Sequence, residues 1–291
     1  MQYVILDLEW NTAFSRKRQC YVNEIIEFGA VRLNEDLEIT DTFSSLVRPL
    51  IQKKLNSRVK KMTSISNTDV KEAENYDTVL HAFTEWVGDP SDVVIMSWGD
   101  MDLRTLIDNN RYYYNDPVIP FVQSYVDLQA YFMKEKELPK SQQIGLSSAA
   151  ELIEKDPDEF THHRALGDSE LSAVCFKAVY NEESFADSIC DCNSDFYKQL
   201  LFKPYYLIDI NDPFVDQSDL SCKCIECAAQ AELQGEWRSA NNSFHATFRC
   251  PECGTRYRVN VQFRRLYNQV SVKKQVVKLR PKQKKRHGTA K

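Results

Sequence analysis

Apolar residues recur at two spacings along the first 180 positions, and the switches between them predict the elements. Residues 2–8 (QYVILDL) form an apolar run broken by one carboxylate, as in a buried strand, and residues 24–33 (EIIEFGAVRL) and 38–47 (EITDTFSSLV), joined at NEDLE, predict two more strands. Between positions 76 and 87, Val79, Leu80, Phe83, Trp86 and Val87 fall at helical spacing. After the Gly88-Asp89-Pro90 punctuation, VVIMSW at 93–98 predicts a short central strand. Further helices are predicted over 103–111, 128–136, 146–154 and 164–180, the last with the strongest pattern. Three strands followed by alternating helices and strands predict an α/β domain with a mixed sheet flanked by helices.

The 291-residue chain has room for one sizeable α/β core and a smaller module. The predicted boundaries are an α/β domain at 1–182, a connector at 183–220, a compact module at 221–265, and a basic tail at 266–291, disordered beyond Lys278. The connector carries Phe196, Tyr197, Phe202, Tyr205, Tyr206 and Phe214 and is expected to dock rather than swing free. The net charge of −5 conceals an asymmetry: residues 254–291 hold 13 Lys and Arg and no carboxylate, against 24 basic and 42 acidic residues before them. A basic arm on an acidic body suits a polyanion, because each neutralised phosphate releases counterions. Asp7 interrupts the first apolar run where a secretory segment would need none, and no stretch approaches the length of a membrane span, so a cytoplasmic protein with no membrane partner is expected.

Nine cysteines in that setting point to thiols or metal ligands rather than disulfides. Cys224-Ile-Glu-Cys227 and Cys250-Pro-Glu-Cys253 form two CxxC pairs separated by 22 residues, the spacing of a four-cysteine zinc ribbon binding one structural Zn²⁺. Cys222 and His245 are alternative ligands. After the second pair, Tyr257, Arg258, Phe263, Arg264 and Arg265 interleave rings and guanidinium groups, which suits bases and phosphates together. The ribbon is also a candidate surface for a protein partner, and 282–286 reads as a weak nuclear-localisation run.

The acidic residues carry the remaining chemistry. Asp7 and Glu9 lie two apart in a strand and project from one face, where they repel unless cations bridge them. Asp100 and Asp102 follow in SWGDMDLRTL, and His162, His163 and Asp168 in HHRALGDSEL. Carboxylates suit hard divalent cations, and a metal pair roughly 3.5–4 Å apart stabilises both the attacking and the leaving oxygen of a phosphodiester displacement. A histidine, with an unperturbed pKa of about 6.5, is suited to take a proton from the attacking water.

The ordered set VILDLEWN, EIIEFGAVRLNEDLEITDTFSSLVRP, KKMTSISNTDV, SWGDMDLRTLI and HHRALGDSELSAVCF resembles the DEDDh branch of the 3′-to-5′ exonuclease superfamily. The likeness covers residues 3–180 and leans toward the subgroup of KapD-like and histone-mRNA 3′-end exonucleases. It implies a ribonuclease H-like fold, with Asp7, Glu9, Asp102 and Asp168 holding two Mg²⁺ or Mn²⁺ ions and His163 as general base. Asp102 is preferred to Asp100 because Leu103 and Leu106 match the family's helix onset, and His163 to His162 because its spacing to Asp168 fits. The resemblance also implies that the backbone near Leu8 and Glu9, with Trp10 beside it, meets the 3′-terminal nucleotide of a single-stranded RNA or DNA, RNA being favoured, and that nucleoside 5′-monophosphates are released. Ser64 and Gly167 depart from the family pattern without removing a ligand. A non-hydrolytic nucleic-acid-binding scaffold and a polymerase-associated proofreading subunit are the alternatives.

Overall fold

The structure, a computed structural model, describes residues 1–139, 143–160 and 163–280, in two compact units, Met1–Leu200 and Leu201–Lys291. The first unit is built on a six-stranded mixed sheet in the order β3-β2-β1-β4-β5-β6, comprising β1 (Gln2–Ser15), β2 (Cys20–Leu33), β3 (Ile39–Leu46), β4 (Val93–Ser97), β5 (Ser124–Asp127) and β6 (Cys190–Asp191). All five residues of β4 are buried, as expected for a central parallel strand covered on both faces. Helices α1 (Ser57–Thr63), α2 (Asn67–Glu72), α3 (Tyr76–Val87) and α4 (Met101–Tyr114) intervene before β5. They are followed by α5 (Leu128–Glu135), α6 (Leu146–Leu152), α7 (Ala165–Val179), α8 (Glu182–Ala186) and α9 (Ser194–Leu201).

Strand alternation sorts the two faces of β1 and β2. Tyr3, Ile5 and Val31 join Ala173 and Phe176 of α7 in one buried cluster, while Phe28 on the opposite face meets Tyr76 and Phe83 of α3. The approach of α7 to the sheet depends on Gly29. A Cβ there would lie 2.1 Å from the Ala165 carbonyl carbon and the Leu166 nitrogen. Ser169 closes the contact by donating from its hydroxyl to the Gly29 carbonyl at 3.0 Å.

In the second unit, β7 (Tyr205–Tyr206), β8 (Glu232–Ala240), β9 (Ser243–Arg249), β10 (Arg256–Arg265) and β11 (Val270–Lys278) form a separate sheet. Its core is Phe244, Phe248, Tyr257, Val259, Val261 and Phe263 with the buried cysteines Cys222, Cys224 and Cys250. Two expected boundaries shift. The stretch 183–220 is divided between the units, because β6 pairs with β5 while β7 pairs with β10. The stretch 266–291 contains a strand, since each residue from Val270 to Lys278 pairs with β10. Lys273 and Lys274 hide the strand's alternation, yet Val270 and Val276 pack on the core and β-branched residues suit a sheet. The 282–286 run and His162 lie outside the described residues. Among the described residues no helix is long and apolar enough to cross a membrane.

Candidate active site

β1 continues beyond β4, one of its two flanking strands, and the site is built at that point. It pairs with β4 only over Gln2–Ile5, so the amide of Leu8 finds no partner on β4 and instead donates to Asp102 Oδ1 at 3.0 Å. Asp102 stands in the first turn of α4, where the helix dipole favours a carboxylate. Asp7 and Glu9 extend the β1 face that carries Tyr3 and Ile5. The backbone of Ala165 and Leu166 packs against Gly29, which lies directly opposite Asp7 in the ladder, and the same first turn of α7 carries Asp168. Asp7, Glu9 and Asp168 each offer an oxygen within 4.8 Å of the others.

Electrostatics separate this cluster from an ordinary acidic surface. Glu9 and Asp102 are 7 % and 5 % exposed. Burial first, then the charges of Asp168, Glu27 and Asp102, push the Glu9 carboxyl up to about 8. Burial likewise pushes Asp102 up to about 7 against the lowering effect of the Leu8 amide, and Asp7 rises through burial and the charges of Asp102 and Asp168. Carboxyls in this state hold protons near neutrality unless cations replace them. Buried, convergent oxygens fit a hard divalent cation and offer no soft donor.

Asp100 takes a different role. It occupies the N-cap position of α4 without capping through its side chain, and pairs with Arg104 at 2.8 Å. His163 is exposed in the turn before α7, with a left-handed φ of 55°. The next residue locks that turn. Arg164 donates to the buried Glu27 carboxylate from Nε at 3.0 Å and Nη2 at 2.5 Å, and the Ala165 amide donates to the same carboxylate at 3.2 Å. Glu27 pairs with Glu9 across the ladder, and its charge is one cause of the raised Glu9 pKa. Neither Glu27 nor Arg164 was selected from the sequence. The available signal was a carboxylate inside the apolar run EIIEFG, the same signal that singled out Asp7.

Leu8 is buried and its amide donates to Asp102. Trp10 is half-buried beside a register shift between Glu9 and Trp10.

In the second unit the sulfurs of Cys224, Cys227, Cys250 and Cys253 converge, with Cys224–Cys253 and Cys227–Cys250 at 3.5 Å. A Zn–S bond of about 2.3 Å sets tetrahedral sulfurs about 3.8 Å apart, so the quartet fits Zn²⁺. Each CxxC turn is closed by its backbone, Ala228 donating to the Cys224 carbonyl and Gly254 to that of Cys250. The Tyr257 hydroxyl, 3.1 Å from Cys224 Sγ, brings that thiol down to about 6 and favours the ligating thiolate. Cys222 lies outside the quartet, and His245 is bonded to Asn260 and the Ala240 carbonyl. Arg258 and Arg264 share the exposed face of β10, whereas Arg265 alternates to the other face, with its guanidinium 4.2 Å from the Phe214 ring centroid.

Residues 4–176 match the family model described as RNase_T, exonuclease. Over 188 residues the chain is 30 % identical to the Bacillus subtilis protein described as probable 3′-5′ exonuclease KapD, which covers 63 % of this chain and 87 % of that protein. It is 28 % identical over 134 residues to ERI1 exoribonuclease 3 of Mus musculus, covering 44 % of this chain and 39 % of the relative. Among solved structures, the nuclease domain of 3′hExo, a DEDDh family member bound to rAMP, superposes with a TM-score of 0.54 at 26 % identity. That match covers 60 % of this chain and 90 % of the neighbour. The carboxylate cluster and His163 fall inside the matched span, and the second unit falls outside it.

Proposed function

The chain belongs to the exonuclease family whose model its residues 4–176 match, and on that premise we propose that it is a metal-dependent 3′-to-5′ exonuclease. The substrate in this proposal is single-stranded nucleic acid, RNA by preference, and the products are nucleoside 5′-monophosphates. One observation carries the reading: the carboxylates Asp7 and Glu9 of β1 and Asp168 of α7 converge, and with Asp102 of α4 their charges raise the pKa of Asp7 and Glu9, a charge distribution that divalent cations complete. Two Mg²⁺ or Mn²⁺ ions held by Asp7, Glu9, Asp102 and Asp168 would activate the attacking water and neutralise charge on the leaving oxygen.

The chain's own residues supply the rest. His163 accepts the proton of the attacking water, and the Arg164–Glu27 pair holds the turn that presents it. Trp10, beside Glu9, stacks on the terminal base. The preference for RNA rests on similarity to proteins described as exoribonuclease 3 and as 3′hExo bound to rAMP. In the second unit the cysteine quartet holds a structural Zn²⁺, and the exposed β10 face with Arg258 and Arg264 contacts phosphates.

A 5′-labelled single strand incubated with Mg²⁺ or Mn²⁺ tests this directly. The expected result is a ladder shortening from the 3′ end, faster on RNA than on DNA, and abolished in Asp7→Ala and His163→Ala. Undiminished shortening in both variants would overturn it.

A further inference from the structure

The two longest strands of the first sheet run well past their neighbours. β1 pairs with β4 only as far as Ile5, and β2 pairs with β3 only from Glu27 onward, so Trp10–Ser15 and Cys20–Ile25 form a two-stranded arm. The arm starts at the register shift directly after Glu9. Six residue steps at about 3.4 Å carry Ser15 about 20 Å from Glu9.

What the arm displays is unlike the acidic body around it. Phe14 and Tyr21 face each other across the ladder and form an edge-on pair at 5.3 Å, yet are 44 % and 74 % exposed. The tip is Arg16-Lys17-Arg18, and among the described residues none of the three is paired with a carboxylate. The tip is also held in place. The Arg18 guanidinium lies 5.1 Å from the Tyr112 ring centroid and donates to the Arg111 carbonyl at the end of α4, and the Arg18 amide donates to Ser15 Oγ at 3.2 Å. Two exposed large rings in contact, beside a cationic tip with no carboxylate partner among the described residues and with Lys17 5.9 Å from the Tyr112 ring centroid, give the charge complementarity of a polyanion with free bases.

We propose that this arm is a binding site for the single strand upstream of the scissile end, with Phe14 and Tyr21 as stacking partners for bases and Arg16 and Lys17 as phosphate contacts. The proposal rests on the exonuclease reading for its direction, because the arm leaves the sheet beside the carboxylate cluster. A stacked strand rises about 3.4 Å per nucleotide, so the arm spans about six nucleotides. Shorter substrates reach the carboxylates without touching the tip.

The test compares full-length wild type with Phe14→Ala/Tyr21→Ala and Arg16→Ala/Lys17→Ala on RNA and DNA strands of 2, 4, 8 and 20 nucleotides. Binding is read by fluorescence anisotropy in buffer without added Mg²⁺ or Mn²⁺, and KM and kcat with Mg²⁺. For wild type, affinity is expected to step up between about 4 and 8 nucleotides. Each double variant should bind the 20-nucleotide strand at least about tenfold more weakly while its kcat on the dinucleotide is unchanged. Arg16→Ala/Lys17→Ala should also lower the slope of log affinity against log salt by about 0.7 for each phosphate no longer neutralised. That variant alters only exposed side chains, so it decides the matter even where the aromatic variant misfolds. Affinity for the 20-nucleotide strand within twofold of wild type overturns the proposal, as does an equal loss on the dinucleotide. Loss of a bound protein partner with unchanged strand affinity would assign the arm to protein contact instead. Length-dependent binding by a wild type that hydrolyses no strand would defeat the exonuclease reading and leave the arm's binding role intact.

Discussion

Replacing Glu9 with Gln should stabilise the cation-free protein at alkaline pH, the reverse of what deleting a buried polar group usually does. Burial and the neighbouring carboxylates raise the folded-state pKa of Glu9 from an ordinary 4.5 to about 8. A carboxyl raised in this way favours the fold while protonated. Its contribution is fully present below about pH 4.5 and is lost as pH rises toward 8. Each pH unit in that window is worth about 1.36 kcal/mol, so between pH 6 and pH 8 Glu9 alone removes about 2 kcal/mol from the first unit. For a unit of about 200 residues this is about 4–8 °C in Tm. The assay is thermal unfolding in EDTA at pH 6, 7 and 8, followed by tryptophan fluorescence in a Trp237→Phe background so that Trp10, Trp86 and Trp98 report the first unit. Wild type should lose Tm across the series and Glu9→Gln should lose about 4–8 °C less. Saturating Mn²⁺ should restore the wild type at pH 8 and do far less for the variant, because ligation stabilises the fold that binds. Parallel pH dependences in the two proteins, or no response of wild type to the cation, would refute the reasoning.

Gly29→Ala should cost about 3 kcal/mol in denaturant unfolding, since the new methyl meets the α7 backbone at 2.1 Å, and should lower kcat about 100-fold by displacing Asp168. Glu27→Gln leaves Arg164 without its carboxylate and loosens the His163 turn. Steady-state kinetics should show kcat falling about tenfold with KM nearly unchanged, and Arg164→Lys, which keeps the charge opposite Glu27 without the bidentate geometry, should lose less than Glu27→Gln but more than nothing. Removing metal from the cysteine quartet with a strong chelator should unfold the second unit, read by Trp237 fluorescence, and expose five additional reactive thiols, the quartet and the core Cys222, while the first unit keeps its transition.

The hydrophobic pattern was legible wherever one period ran unbroken. The predicted helix at positions 76–87 coincides with α3, and the run at 93–98 contains β4. It failed where polar residues are buried for local reasons. The apolar run predicts a strand over 2–8, whereas β1 continues to Ser15 through the polar residues Asn11 and Ser15. Both are buried, Asn11 accepting from the Asn56 amide and Ser15 from that of Arg18, and the arm was missed with them. α1 and α2 escaped for another reason: each is six or seven residues long, and α2 is fixed by a capping box at Ser66 and Asp69 more than by an apolar stripe. Of the site, the carboxylates at 7, 9, 102 and 168 were readable as chemistry. The devices that bring them together were not, because Gly29 and the Arg164–Glu27 pair act across 136 or more positions of sequence that only the fold closes.

Hydrolysis in H₂¹⁸O, with mass analysis of the released nucleotides, tests the central claim most directly. With Mg²⁺ or Mn²⁺ the account predicts nucleoside 5′-monophosphates carrying one ¹⁸O on phosphorus, one per step from the 3′ end, absent in EDTA and absent from Asp7→Ala. Release of 3′-phosphates or cyclic phosphates, or of labelled 5′-monophosphates at the same rate in EDTA, would contradict it.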